Sequence, residues 1–180
     1  WDCTALTDIS VTDSVECIHK YAFSGTGYLN DKANWDNGFL YLGTLLIGAD
    51  KDKIAADCRL YSKTTLVAAE VFKGFKITSV YLPDNLKYIN EYAFYNCDGI
   101  TDVDVPASVI VIGTEAFSGC GNLEEITFNE GLVEIHAKSF AYLPKLTGIQ
   151  IPGTVDFIDQ TAFYSSGVTD ICYGNSKAEW

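Results

Sequence analysis

Apolar residues return along this chain at a fixed interval. The stretch EYAFYNC (91–97) comes back as EAFSGC (115–120), and aligning on Ala-Phe sets Phe94, Phe117, Phe140 and Phe163 each 23 residues apart. Phe72 precedes Phe94 by 22, and Phe23 precedes Phe72 by 49, one period plus an insertion of 26. Other columns keep step. Five residues before each Phe stand Ile18, Val67, Ile89, Ile112, Ile135 and Ile158; eight before stand Val15, Thr64, Leu86, Val109, Leu132 and Val155. Fourteen before stand Ile9, Cys58, Val80, Val103, Ile126 and Ile149, with Ile171 opening a shortened last unit. Pro83, Pro106 and Pro152 recur eleven before.

Each unit reads Leu-x-x-Ile-x-Val-Pro-x-x-Val-x-x-Ile-x-x-x-Ala-Phe-x-x-Cys. A period of this length with Leu-x-x-Leu-x-Leu spacing is that of leucine-rich repeats. One coil cannot bury its apolar side alone, but stacked coils bury a continuous ladder. The expected fold is a leucine-rich-repeat solenoid, a β-rich, right-handed coil of repeats of about 23 residues. A parallel sheet lies on its concave side, and short strands with 3₁₀ or helical turns lie on its convex side. Alternation in Leu-x-x-Ile-x-Val predicts seven main strands, centred on Ile9, Cys58, Val80, Val103, Ile126, Ile149 and Ile171. Val-x-x-Ile predicts a second short strand, Glu-Ala-Phe-x-x-Cys one helical turn, and the Phe column an aromatic spine.

The whole chain, 1–180, reads as one such domain. Trp1 stands one residue after a Phe column, so the array begins inside a repeat, with Cys3 and Leu6 in register. Residues 24–53 form an island. Asn37-Gly38 and Gly43-Thr44 predict a hairpin there, packed on one flank. Its aromatics Tyr28, Trp35 and Tyr41 offer a docking edge, against the plainer reading that the island covers core. Residues 168–180 read as a terminal repeat.

The run INEYAFYNCDGITDVDVPASVIVIGTEAFSGC resembles the BspA-like leucine-rich repeats of bacterial surface proteins. The segment from Val168 to Trp180 looks like the unit that closes such arrays. Two positions depart from the pattern: Leu143 in the Cys column and Asn129 in the Pro column. The resemblance implies a surface or secreted location and a role in attachment.

Net charge narrows the partners. At -12, the chain lacks the basic patches that phosphate backbones require, so no nucleic-acid partner is expected. The longest apolar run, FLYLGTLLIGA (39–49), is too short to span a bilayer, so no membrane insertion is expected. A monomer is expected.

The six Cys follow the repeat rather than a disulfide framework. Cys3, Cys97 and Cys120 share an inward column and Cys58 a strand column, all read as small buried hydrophobes. A bond between Cys97 and Cys120, on neighbouring coils, stays open. Cys17 and Cys172 fall in outward columns, far apart. No CxxC or other zinc spacing occurs. His19 and His136 share a column in different coils and read as solvated or locally satisfied. No P-loop, GxGxxG, HExxH or GxSxG is present. No cofactor, metal or catalytic residue is expected.

The outward positions of the main strands form two columns on the concave face. One holds Asp8, Asp57, Ser79, Asp102, Glu125, Gly148 and Asp170; its neighbour holds Ser10, Arg59, Tyr81, Asp104, Thr127, Gln150 and Cys172. Acids dominate, against the single Arg59. They are solvated charges that keep the sheet from aggregating, or a site for a protein or glycan partner. A glycosidase pair is the remotest reading, because an open sheet face gives neither carboxyl the desolvation it needs. A non-catalytic extracellular recognition or adhesion module of a bacterial cell surface is thus the leading reading. A structural spacer in a larger secreted or wall-attached protein is the alternative, and a glycan-acting enzyme the least favoured.

Overall fold

The computed structural model describes residues 2–12 and 14–174. The reading at Trp1, and the part of the terminal repeat that falls on 175–180, lie outside the described residues.

Six strands carry the Leu-x-x-Ile-x-Val motif: β4 (Asp57–Arg59), β6 (Ser79–Tyr81), β8 (Asp102–Val105), β10 (Glu125–Phe128), β12 (Gly148–Ile151) and β14 (Asp170–Tyr173). Odd and even positions alternate between exposed and buried in β8, β10 and β12. Pairing is parallel and in column register, with Cys58 opposite Val80, Val103 opposite Ile126, and Ile149 opposite Ile171. We call the outward side of these strands the main face.

The main sheet is not continuous. It falls into the pairs β4–β6, β8–β10 and β12–β14. Each break coincides with a proline in the downstream coil. Where the downstream coil carries Asn129 or Gly174, that residue's N–H donates to Val105 or Ile151 and adds a rung to a four-residue pairing. Where it carries Pro106 or Pro152 there is no N–H to give, and β6|β8 and β10|β12 are the two gaps. Pro83 is tolerated because Leu60 N–H supplies a rung to Tyr81 O.

The continuous sheet lies on the other side. Its eight strands run β1 (Trp35–Asp36), β2 (Phe39–Leu42), β3 (Leu45–Ala49), β5 (Leu66–Val67), β7 (Tyr88–Ile89), β9 (Val111–Ile112), β11 (Glu134–Ile135) and β13 (Phe157–Ile158). From β3 onward it is parallel and in register. The island thus supplies three of its strands.

That insertion displaces the first repeat. Leu46 pairs opposite Val67, the place where linear register sets Ile18. Phe39 meets Phe72 edge-on at 6.4 Å, where register sets Phe23. The residues around Ile9 form no strand; Cys3 and Leu6, expected in register and Cys3 buried, are exposed. The cause is competition for one slot. The β2–β3 hairpin brings its own hydrogen bonds, a wholly buried strand β2 and a strand β3 that is buried at Leu45 and Leu46 and half-buried beyond. The earlier segment crosses outside it, pinned by Asn90, whose Oδ1 accepts from Ile18 N–H at 2.8 Å while its Nδ2 donates to Glu16 O at 3.0 Å.

Phe72, Phe94, Phe117, Phe140 and Phe163 stack as the expected spine, with centroids 5.1, 5.0, 5.7 and 5.6 Å apart. The turns beside them are not a helix. Alternate residues donate to the carbonyl three back, as Tyr95 does to Tyr92, while the others donate to the next coil, as Phe94 does to Ala116. Left-handed residues two before and two after most of these Phe, such as Tyr92 (φ 56°) and Asn96 (φ 54°) around Phe94, break the helical path. The helical segments among the described residues lie in the island: α1 (Gly27–Asn30), capped by Thr26, and a 3₁₀ turn over Lys32–Asn34, capped by Asp31.

Candidate functional site

Five acids stand on the main face: Asp57, Asp102, Asp104, Glu125 and Asp170. Asp8 does not join them, because its segment forms no strand; its charge instead acts on Tyr28, whose hydroxyl is pushed up by burial first and by Asp8 second. Most of the acids are held by neighbours. Asp57 accepts from Ser79 Oγ at 2.9 Å and lies 3.5 Å from Arg59 Nε. Thr101 Oγ1 donates to Asp102 at 2.9 Å, and Thr169 Oγ1 to Asp170 at 3.1 Å. Asn129 Nδ2 donates to Asp104 at 2.9 Å and to Val105 O at 2.8 Å. Gln150 Nε2 reaches Gly174 O at 3.3 Å.

Each gap in the main sheet opens a cavity. At β6|β8 a cavity of about 340 Å³ is lined by Tyr81, Asp84, Asp104, Pro106 and Asn129, among others. At β10|β12 one of about 360 Å³ is bordered by Glu125, Thr127, Gln150, Asp170 and Cys172. Tyr81 is 47% exposed, and the Arg59 guanidinium lies over its ring at 3.7 Å. Asp84 and Asn129 were not singled out from the sequence. Asn129 carried a signal all the same, as the residue that departs from the Pro column.

Of the island aromatics expected to offer a docking edge, Tyr28 and Trp35 are half-buried and Tyr41 is buried. Tyr41 is buried, stacks on Tyr61 at 5.3 Å and bonds Thr64 Oγ1 at 2.8 Å. Tyr28 donates to Tyr41 O at 2.6 Å and Trp35 Nε1 to Leu29 O at 3.0 Å, so these rings hold the island together.

On the second sheet the fold brings His19 and His136 to one cavity of about 410 Å³, with Cys17, Glu91 and Glu134. Cys17 Sγ lies 3.6 Å from His19 Nε2, and His19 Nδ1 2.9 Å from Glu91 Oε1. This is the order of thiol, imidazole and carboxylate that nucleophilic catalysis uses. The thiol is tuned the wrong way. Burial and then the Glu91 charge push Cys17 upward, whereas an activated cysteine is pulled down. Glu134 is engaged by His136 at 2.7 Å. Among the described residues no group of three or more His, Cys, Asp or Glu is placed to hold a metal ion, and no helix is long and apolar enough to cross a membrane.

Cys97 and Cys120 are free thiols, each directed at a backbone carbonyl, Phe72 O at 3.0 Å and Phe94 O at 3.1 Å. Burial pushes Cys58 and Cys97 up to about 12, and Cys120 higher still.

The repeat columns, the stacked coils and the paired strands together define a leucine-rich-repeat protein. The BspA type Leucine rich repeat region model matches six copies over residues 1–40 and 56–178, and the chain belongs to that family. The unmatched stretch, 41–55, holds most of the hairpin that displaces the first repeat. Among solved structures the chain is similar to a T. pallidum leucine-rich repeat protein, TpLRR (TM-score 0.66, 23% identity, 70% of this chain and 61% of that one). It is also similar to the pneumococcal vaccine antigen PcpA (TM-score 0.64, 22% identity, 69% of this chain and 32% of that one). The chain therefore spans less than two thirds of either. No curated protein matches it.

Proposed function

We propose that the protein is a non-catalytic recognition module that binds a protein or glycan partner through its main face, at the surface of a bacterium or outside it. One observation carries this reading. The acid-rich face is not a flat solvated sheet: it is interrupted twice, beside Pro106 and Pro152, and each break is a cavity bordered by carboxylates. Flat, featureless acids would suit a spacer; concave sites with convergent polar groups suit a ligand. The family and the similarity to a pneumococcal antigen support the surface location. The module acts as a monomer.

The test is a binding screen at physiological salt against host matrix proteins, mucin and bacterial glycans, with Asp102→Lys/Glu125→Lys beside the parent. Both residues are exposed, so the variant is expected to fold. Binding lost in the variant supports the main face. Binding that survives moves the site elsewhere. No binding by the folded parent leaves a spacer.

A further inference from the structure

We infer that the β6|β8 cavity is a subsite for a neutral saccharide, a proposal that rests on the main face being the recognition surface. Two departures from the repeat meet there, beside a proline that keeps to its column. Tyr81 is the sole aromatic in the two outward columns. Asn129 replaces the column's proline. Pro106, which has no N–H to donate, stands at the gap in the sheet between them. Positions where a repeat breaks its own rule without loss of the fold are where function is expected.

The chemistry of the cavity matches a sugar. A half-exposed phenol ring offers a flat apolar surface with a polar rim, which suits the C–H face of a pyranose. Asp84 and Asp104 supply acceptors for ring hydroxyls. The Asn129 amide, donating to Asp104 at 2.9 Å, holds that carboxylate in place. Arg59, stacked on Tyr81 at 3.7 Å and beside Asp57 at 3.5 Å, sets the ring's orientation. A volume of about 340 Å³ lies at the small end of ligand sites.

Charge selects among ligands. A net charge of -12 repels sialylated or sulfated glycans. A lysine or arginine side chain approaching Tyr81 meets a like charge, the Arg59 guanidinium already over one face of the ring, whereas an uncharged ligand does not. A neutral polyol meets neither objection.

The experiment is saturation-transfer NMR on the full chain with methyl glycosides of glucose, galactose, mannose and N-acetylglucosamine. Glucuronic acid, sialyllactose and a lysine-rich peptide serve as comparators. The expected result is transfer to the ring protons of at least one neutral glycoside. Affinity should fall about tenfold or more in Tyr81→Ala, and stay within about threefold in Tyr81→Phe, as for a stacking anchor. Asp104→Asn should weaken binding by an intermediate factor. These residues are exposed, and circular dichroism checks each variant's fold. Absence of transfer from every neutral glycoside, or transfer unchanged in Tyr81→Ala, overturns the inference. If a matrix protein or the lysine-rich peptide instead binds and loses affinity in Asp102→Lys/Glu125→Lys, the saccharide subsite falls while main-face recognition stands. If nothing binds the main face, both fall.

Discussion

Replacing Phe39 by Ala should cost far more stability than replacing Phe23, although Phe23 is the residue in the repeat column. Phe39 is 6% exposed and meets Tyr61 at 5.4 Å, Tyr41 at 6.2 Å and Phe72 at 6.4 Å. A buried Phe truncated to Ala costs about 3–5 kcal/mol. Phe39 ends the stack, where the hairpin can close part of the cavity, so we take about 3 kcal/mol, the low end. Phe23 is half-buried, and partial loss of its transfer free energy gives about 1 kcal/mol. With a urea m-value of roughly 2 kcal/mol/M, the midpoint should fall by about 1.5 M for Phe39→Ala and about 0.5 M for Phe23→Ala. Far-UV circular dichroism follows the transition, and equal m-values across the three proteins keep the comparison two-state. A Phe23→Ala shift as large as that of Phe39→Ala would refute the claim that the hairpin has taken the first repeat's place.

Other consequences are as direct. At pH 8 Ellman's reagent should titrate three thiols in the native protein, Cys3, Cys17 and Cys172, and the buried Cys58, Cys97 and Cys120 only after denaturation. Protection of Cys3 would restore the first repeat to register. Asn90→Ala leaves the Ile18 N–H and the Glu16 carbonyl without the partners they have now; a loss of about 2 kcal/mol is expected, with faster hydrogen exchange at the Ile18 amide. Glu70 is held below the ordinary carboxyl value: burial raises it, but hydrogen bonds from Lys20 and Lys73 outweigh that. A depressed pKa gives stability that is present above the unfolded value and lost as pH falls through the folded one. Glu70→Gln should therefore narrow the drop in urea midpoint between pH 6 and pH 3; an unchanged drop would count against the pair.

The Phe, Ile and Val columns were readable because each coil touches only its neighbours. A side chain that fits one rung fits the next, so period alone placed Phe72 to Phe163 on the spine and Val80, Val103 and Ile126 inside the main strands. The acidic outward columns were readable for the same reason from Asp57 onward, though not at Asp8. Their division into separate cavities was not read, although Pro106, Pro152 and Asn129 carried it. A proline column looks uniform until one asks which coil must donate across each gap.

What the linear pattern settled, then, is everything that repeats: the solenoid, its phase, its buried faces and its charge. What folding alone decided is everything that happens once. Two segments, one around Phe23 and one around Phe39, competed for a single slot at the end of the array, and no periodicity ranks them. The hairpin won because it brings a wholly buried strand, a second strand buried over its first half and its own antiparallel bonds, while the loser is pinned across the sheet by Asn90. That crossing is also what carries His19 and Cys17 to Glu91, 72 residues away from His19 in sequence, a meeting that depends on the free energy of packing rather than on register.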